Sequence, residues 1–286
     1  MKIEVKSDGI SAVLNTEQGA IESILDDQSR EHYWEYDSAV WPRRTSVCFP
    51  ICGTLIDGKY RVGEKEYELP NHGFLREKDL KVECQTRDRL VLSLEQSEQT
   101  KKVYPYDFRF ELEYRAEGNR LIVTYRVTNP AQEDLLFSVG AHYTYALPAP
   151  QAECFYMFDR PQTLGAFGAV EGGVSLEKKP LLENEDRLSM NELFENGAKM
   201  LDMRDVTSTT IGIGTAGKLF TSVESIGFPY VILWAPGGNR SPFACIEPWA
   251  GLADLKGHDQ VLAHKKGIQG AKPGQTREFI QIITVH

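Results

Sequence analysis

The 286-residue chain contains no apolar run long enough to span a bilayer. Its N-terminus, Met1-Lys2-Ile3-Glu4-Val5-Lys6, alternates instead of building the apolar core of a signal peptide. Dense basic runs are missing as well. The pairs Arg43-Arg44, Lys101-Lys102, Lys178-Lys179 and Lys265-Lys266 are scattered, and 32 basic residues face 41 acidic ones for a net charge of -9. A cytoplasmic protein with neither nucleic-acid nor membrane partners is expected. An acidic balance also disfavours a heavily phosphorylated substrate, although one local arginine can overturn that.

Cysteines are few and odd in number, at 48, 52, 84, 154 and 245, mostly in apolar surroundings. Buried free thiols in a reducing compartment account for them better than a disulfide framework. Cys48 and Cys52 have a spacing that zinc sites use, but no second Cys/His pair completes four ligands, so no metal is expected. Three templates are also missing: a glycine-rich dinucleotide fingerprint, a phosphate loop and a Gly-x-Ser-x-Gly nucleophile elbow. No cofactor is expected.

What the chain does have is alternation. Apolar and polar residues alternate from Met1 to Leu25 around the turn pairs Asp8-Gly9 and Gln18-Gly19. Further strand candidates are residues 90–94, 108–114, 121–127, 135–145, 209–213, 220–223, 230–234 and 279–285. Residues 160–205 are polar and charge-rich and read as irregular connections with at most a short helix. Many short strands and frequent turn signals predict an all-β protein, a large antiparallel β-sandwich with few short helices. No boundary divides it, so residues 1–286 are expected to form one domain, monomeric or homodimeric.

The segment Phe243-Ala244-Cys245-Ile246-Glu247-Pro248-Trp249-Ala250-Gly251 sets one carboxylate inside an apolar strand. Burial there raises a carboxyl pKa toward the range useful for proton transfer, unless an arginine pairs with it for structural reasons. Pro248 is expected to end ladder pairing, and Trp249 offers a broad face of the kind that stacks on sugar rings. Three histidines stand beside glycines: His72, His142 and His258. Imidazole is the natural proton donor or acceptor near neutral pH, though each could equally be structural. Arg43, Arg44 and Arg76 accompany the first, with planar forks suited to sugar oxygens or carboxylates. A histidine, a glutamate and several arginines on a β scaffold suit cofactor-free acid–base chemistry or sugar binding.

Four blocks occur in order: His72-Gly73-Phe74-Leu75-Arg76, Gly140-Ala141-His142, Phe228-Pro229-Tyr230-Val231-Ile232-Leu233-Trp234, and Cys245-Ile246-Glu247-Pro248-Trp249-Ala250-Gly251-Leu252-Ala253-Asp254. Together they resemble the aldose 1-epimerase (galactose mutarotase-like) family, nearest to its LacX-like branch. The resemblance implies a large antiparallel β-sandwich that interconverts the α and β anomers of a hexose or related sugar by acid–base ring opening. By matching motifs, His142 is the acid and Glu247 the base, while His72, Arg43 (or Arg44), Arg76 and Trp249 bind substrate. Arg76 matches an arginine that reaches the phosphate in hexose-6-phosphate relatives. The pattern departs at Tyr143, where a proline is usual, at Thr54, where relatives often carry arginine, and at Gly197, where a substrate-binding aspartate is expected, with Asp202 nearby but out of register. Two alternatives follow, a non-catalytic carbohydrate-binding or regulatory protein and a hexose-6-phosphate 1-epimerase.

Overall fold

The computed structural model describes residues 1–42, 47–195 and 197–286. Among them, 15 strands join in one antiparallel sheet system, and a three-stranded sheet of Lys2–Lys6, Ile10–Asn15 and Ala20–Asp26 packs against it. One end of the large system runs Val47–Cys48, Val139–Ala141, Phe243–Ala250, Tyr230–Trp234, Lys199–Asp202 in hydrogen-bonded order. The other runs Thr210–Thr215, Lys218–Ile226, Thr276–Val285, Arg120–Thr128, Arg109–Glu117, Arg89–Glu95, Lys81–Gln85. The strand Cys154–Val170 connects the halves: its first residues pair with Thr210–Thr215, and Phe167 pairs with Met200. The two halves share one hydrophobic core, in which Ala244, Ile246 and Leu233 of the first meet Leu112, Tyr125 and Ile283 of the second. The all-β sandwich expected from the alternation is thus observed. The sole α-helix among the described residues is Glu98–Val103, started by the Ser97 side chain, which accepts the Thr100 N–H.

Three expectations need correction. Residues 160–205 are not irregular: Cys154–Val170 and Gly173–Ser189 form the longest hairpin of the molecule. Gly173–Ser189 is an edge strand whose residues are mostly exposed, so it carries little of the apolar alternation by which strands are recognised. The segment 135–145 is not one strand but three short ones, Leu135–Phe137, Val139–Ala141 and Thr144–Ala146. Finally, Phe243–Ala250 does not stop at Pro248, which pairs in register with Val231. Proline removes one N–H, and the ladder is lost only on the opposite side, between Val139–Ala141 and Thr144–Ala146.

Every residue of Phe243–Ala250 is buried. With a period of two, Ala244, Ile246 and Ala250 enter the main core while Cys245, Glu247 and Trp249 turn to the other face. On that face a second hydrophobic cluster, including Cys48, Met200, Tyr230, Ile232, Trp249 and Leu252, forms the floor of a cleft.

Candidate active site

The register of two strands decides where the acid and the base stand. Ala146 lies opposite Phe243 at one end and Val139 opposite Ala250 at the other, with no shift between. Carried through the two residues between the short strands, this register sets His142 opposite Glu247, on the same face of the sheet. The imidazole Nδ1 lies 3.5 Å from Glu247 Oε1. His142 keeps 17% of its side chain accessible, whereas Glu247 keeps 2%. The neighbouring Tyr143 points to the other face and is fully buried, its hydroxyl 3.1 Å from that of Tyr114. The residue standing where the family usually has proline is therefore a core tyrosine.

The two groups border a cavity of about 270 Å³ walled by Trp41, Trp234 and Trp249, with Thr54, Asn71 and His72 as further polar lining. That is close to the lower end of the range for small-ligand sites. Trp249 is locked in place by its Nε1–H, which donates to Ala141 O at 3.0 Å. Gly140 leaves room for it: a Cβ there would stand 2.6 Å from Trp249 Cδ1.

His72 lies on a turn with φ of +65°, followed by Gly73 at +76°, where a Cβ would meet Phe49 O at 2.3 Å. Its Nδ1 accepts the Gly53 N–H at 3.1 Å, which places the ring proton on Nε2. The His72 ring centroid is 5.1 Å from that of His142 and 5.5 Å from that of Trp249. Arg76, half-buried, is not among the cleft-lining residues, but its charge acts on His142. Arg43 and Arg44 lie outside the described residues.

Electrostatically the site is a paradox that resolves into one proton. Burial pushes the Glu247 carboxyl well above the usual carboxylate range, and contacts with Cys245 and Trp249 offset only part of this. Burial, together with the Arg76 charge, pushes His142 down to about 4. Both shifts favour a neutral imidazole beside a protonated carboxyl. The 3.5 Å approach favours imidazolium beside carboxylate. The two arrangements differ only in where a single proton sits, so the pair titrates as a unit.

Other candidates fall away from the cleft. His258, singled out beside Gly257, is structural: its Nδ1 accepts the Gln260 N–H at 3.0 Å and stands 3.6 Å from Asp254. Asp202 is buried and bound by Arg204, so it does not take the place of the family aspartate. Gly197 supplies no side chain. Sequence reasoning did not find Trp41, Trp234, Asn71 or Thr54 as lining, nor Cys245, whose Sγ is 3.9 Å from His142 Nδ1. Signals were there to read: Cys245 stands two residues before Glu247 and hence on its face, Trp234 ends one of the family-like blocks, and Thr54 stands where relatives often carry arginine. Ala169, Gly173 and Val174 reach the cleft from the long hairpin, which the sequence had assigned to irregular structure.

An antiparallel β-sandwich holding an imidazole opposite a buried carboxyl in a tryptophan-walled cleft marks the class to which this protein belongs. More particularly, the chain belongs to the aldose 1-epimerase family, whose description fits residues 1–154. The plasmid and chromosomal LacX proteins of Lactococcus lactis subsp. lactis are each 26% identical to it, over 100% of this chain and 99% of theirs. A galactose mutarotase related enzyme from Lactobacillus acidophilus superposes with a TM-score of 0.92 at 25% identity, covering 100% of this chain and 97% of that one. A galactose mutarotase-like protein from Lactobacillus casei superposes at 0.89 with 22% identity, covering 100% of both. No helix among the described residues is long and apolar enough to cross a membrane.

Proposed function

We propose that the protein is an aldose 1-epimerase acting on a hexose or related pyranose, with His142 as acid and Glu247 as base. The observation that carries this reading is the cross-strand pair itself, 3.5 Å apart at the wall of one cleft. The anomeric carbon bears both oxygens that exchange protons, the ring oxygen and the C1 hydroxyl, so acid and base must stand close together. In the imidazolium–carboxylate form, His142 gives its proton to the ring oxygen while Glu247 takes the hydroxyl proton. The ring C–O bond breaks, leaving an aldehyde, a neutral imidazole and a protonated carboxyl. After the aldehyde turns its other face, the reverse transfers close the ring and restore the starting state. The single shared proton fits both halves of this cycle. In this reading His72, which lines the cleft, donates a hydrogen bond to a sugar oxygen, and Trp249 offers a stacking face.

NMR exchange between anomers, run on a panel of aldoses and on glucose against glucose 6-phosphate, tests the proposal. We expect exchange above the buffer rate with a free sugar, and its loss in His142→Asn. Calorimetric sugar binding with no exchange above buffer for any anomer would instead identify a carbohydrate-binding protein. A marked preference for the phosphorylated sugar would identify a hexose-6-phosphate epimerase.

A further inference from the structure

Cys245 has no part in the proton transfers, yet it faces the same side of its strand as Glu247. Its Sγ, His142 Nδ1 and a Glu247 carboxylate oxygen lie within 4.8 Å of one another, with Nδ1 3.9 Å from Sγ and 3.5 Å from Oε1. In a tetrahedral zinc site with bonds of about 2.0–2.3 Å, donor atoms stand roughly 3.3–3.7 Å apart. Small side-chain movements bring the three donors to those separations. Nitrogen, thiolate and carboxylate form a ligand set that zinc accepts. Cys245 closes the site from the buried side, while His142 and Glu247 border the cleft, which supplies an entry path and a fourth position.

We propose that His142, Cys245 and Glu247 form a binding site for a zinc-like divalent cation, which switches the acid–base pair off while it is bound. Coordination displaces the thiol proton and any proton the pair holds, releasing them to solvent, with no change in oxidation state. The cation then occupies the imidazole nitrogen and the carboxylate together, so neither can exchange protons with a sugar. It is an inhibitor here rather than a resident cofactor. The switching half rests on the proposed epimerase activity, but the binding half does not.

The test uses the reduced, chelator-stripped full chain, with Zn²⁺ followed by calorimetry and Co²⁺ by absorbance. One ion per chain and a thiolate-to-cobalt charge-transfer band are expected. Cys245→Ala should abolish the band and weaken Zn²⁺ binding at least tenfold, and Glu247→Gln should weaken binding independently. The Cys48→Ala/Cys52→Ala variant should keep both the band and the affinity. A band that survives Cys245→Ala, a band lost in the double variant, or no band at all would overturn the site. Zn²⁺ should also stop anomer exchange, reversibly on chelation, and binding without inhibition would overturn the switch while leaving the site intact.

Discussion

Replacing Glu247 with glutamine preserves the shape of the side chain and removes its ability to exchange a proton, so it should lower activity and alter the pH dependence of stability together. Loss of one general acid–base partner is worth about 10²–10⁴ in rate, or roughly 2.7–5.4 kcal/mol of barrier. The stability signature comes from counting protons. In the folded parent burial raises the Glu247 carboxyl, and below that raised pKa the His142–Glu247 pair holds one proton. In the unfolded chain, Glu247 ionises at its ordinary value of 4.5 and His142 at 6.5. Between those two values both states hold one proton, so the pair adds no slope. Once the unfolded chain has lost its proton, the folded pair keeps its own until the raised Glu247 pKa is reached, and over that interval stability falls with rising pH by about 1.4 kcal/mol per unit. In Glu247→Gln the folded His142 is deprotonated above about 4 while the unfolded one keeps its proton to 6.5. Stability therefore rises across that window and then levels off. The variant should be less active and should gain stability relative to the parent from about pH 4.5 up to the raised Glu247 pKa. Anomer exchange by NMR and denaturant melts from pH 5 to 8 read both effects. Unchanged exchange would refute the catalytic assignment, and a stability difference independent of pH would refute the burial argument.

Three further outcomes are expected. Arg76→Ala removes a positive charge that depresses His142, so the corresponding limb of the pH profile of kcat/KM should move to higher pH; an unmoved limb would show that Arg76 acts elsewhere. Trp249→Phe loses the 3.0 Å bond to Ala141 O and part of the stacking face, and should raise KM more than it lowers kcat, with a stability cost of about 0.5–1.5 kcal/mol in a denaturant titration. Lys265→Met strips the buried partner from Asp254, which is only 2% exposed, and should cost about 3–5 kcal/mol; the Lys265→Met/Asp254→Asn double variant should recover most of this in the same titration.

The sequence by itself determined the strand class and much of the strand placement, because half-buried strands such as Arg109–Glu117 and Arg120–Thr128 write their environment into a two-residue period. It also showed a carboxyl in an apolar strand at Glu247. It could not show the hairpin Cys154–Val170/Gly173–Ser189, since an exposed edge strand leaves no apolar stripe. Family motifs pointed to His142, but local pattern alone could not choose among His72, His142 and His258, all near a glycine, because it carries no register between segments a hundred residues apart. Pairing of Val139–Ala141 and Thr144–Ala146 with opposite ends of Phe243–Ala250 made that choice, setting His142 across from Glu247 and leaving His258 with Asp254. The same pairing brought Cys245 beside them, a trio with no spacing signature in the chain. Which residues are apolar is a property of each position, whereas which residues meet is a property of strand register, and only the folded sheet fixes it.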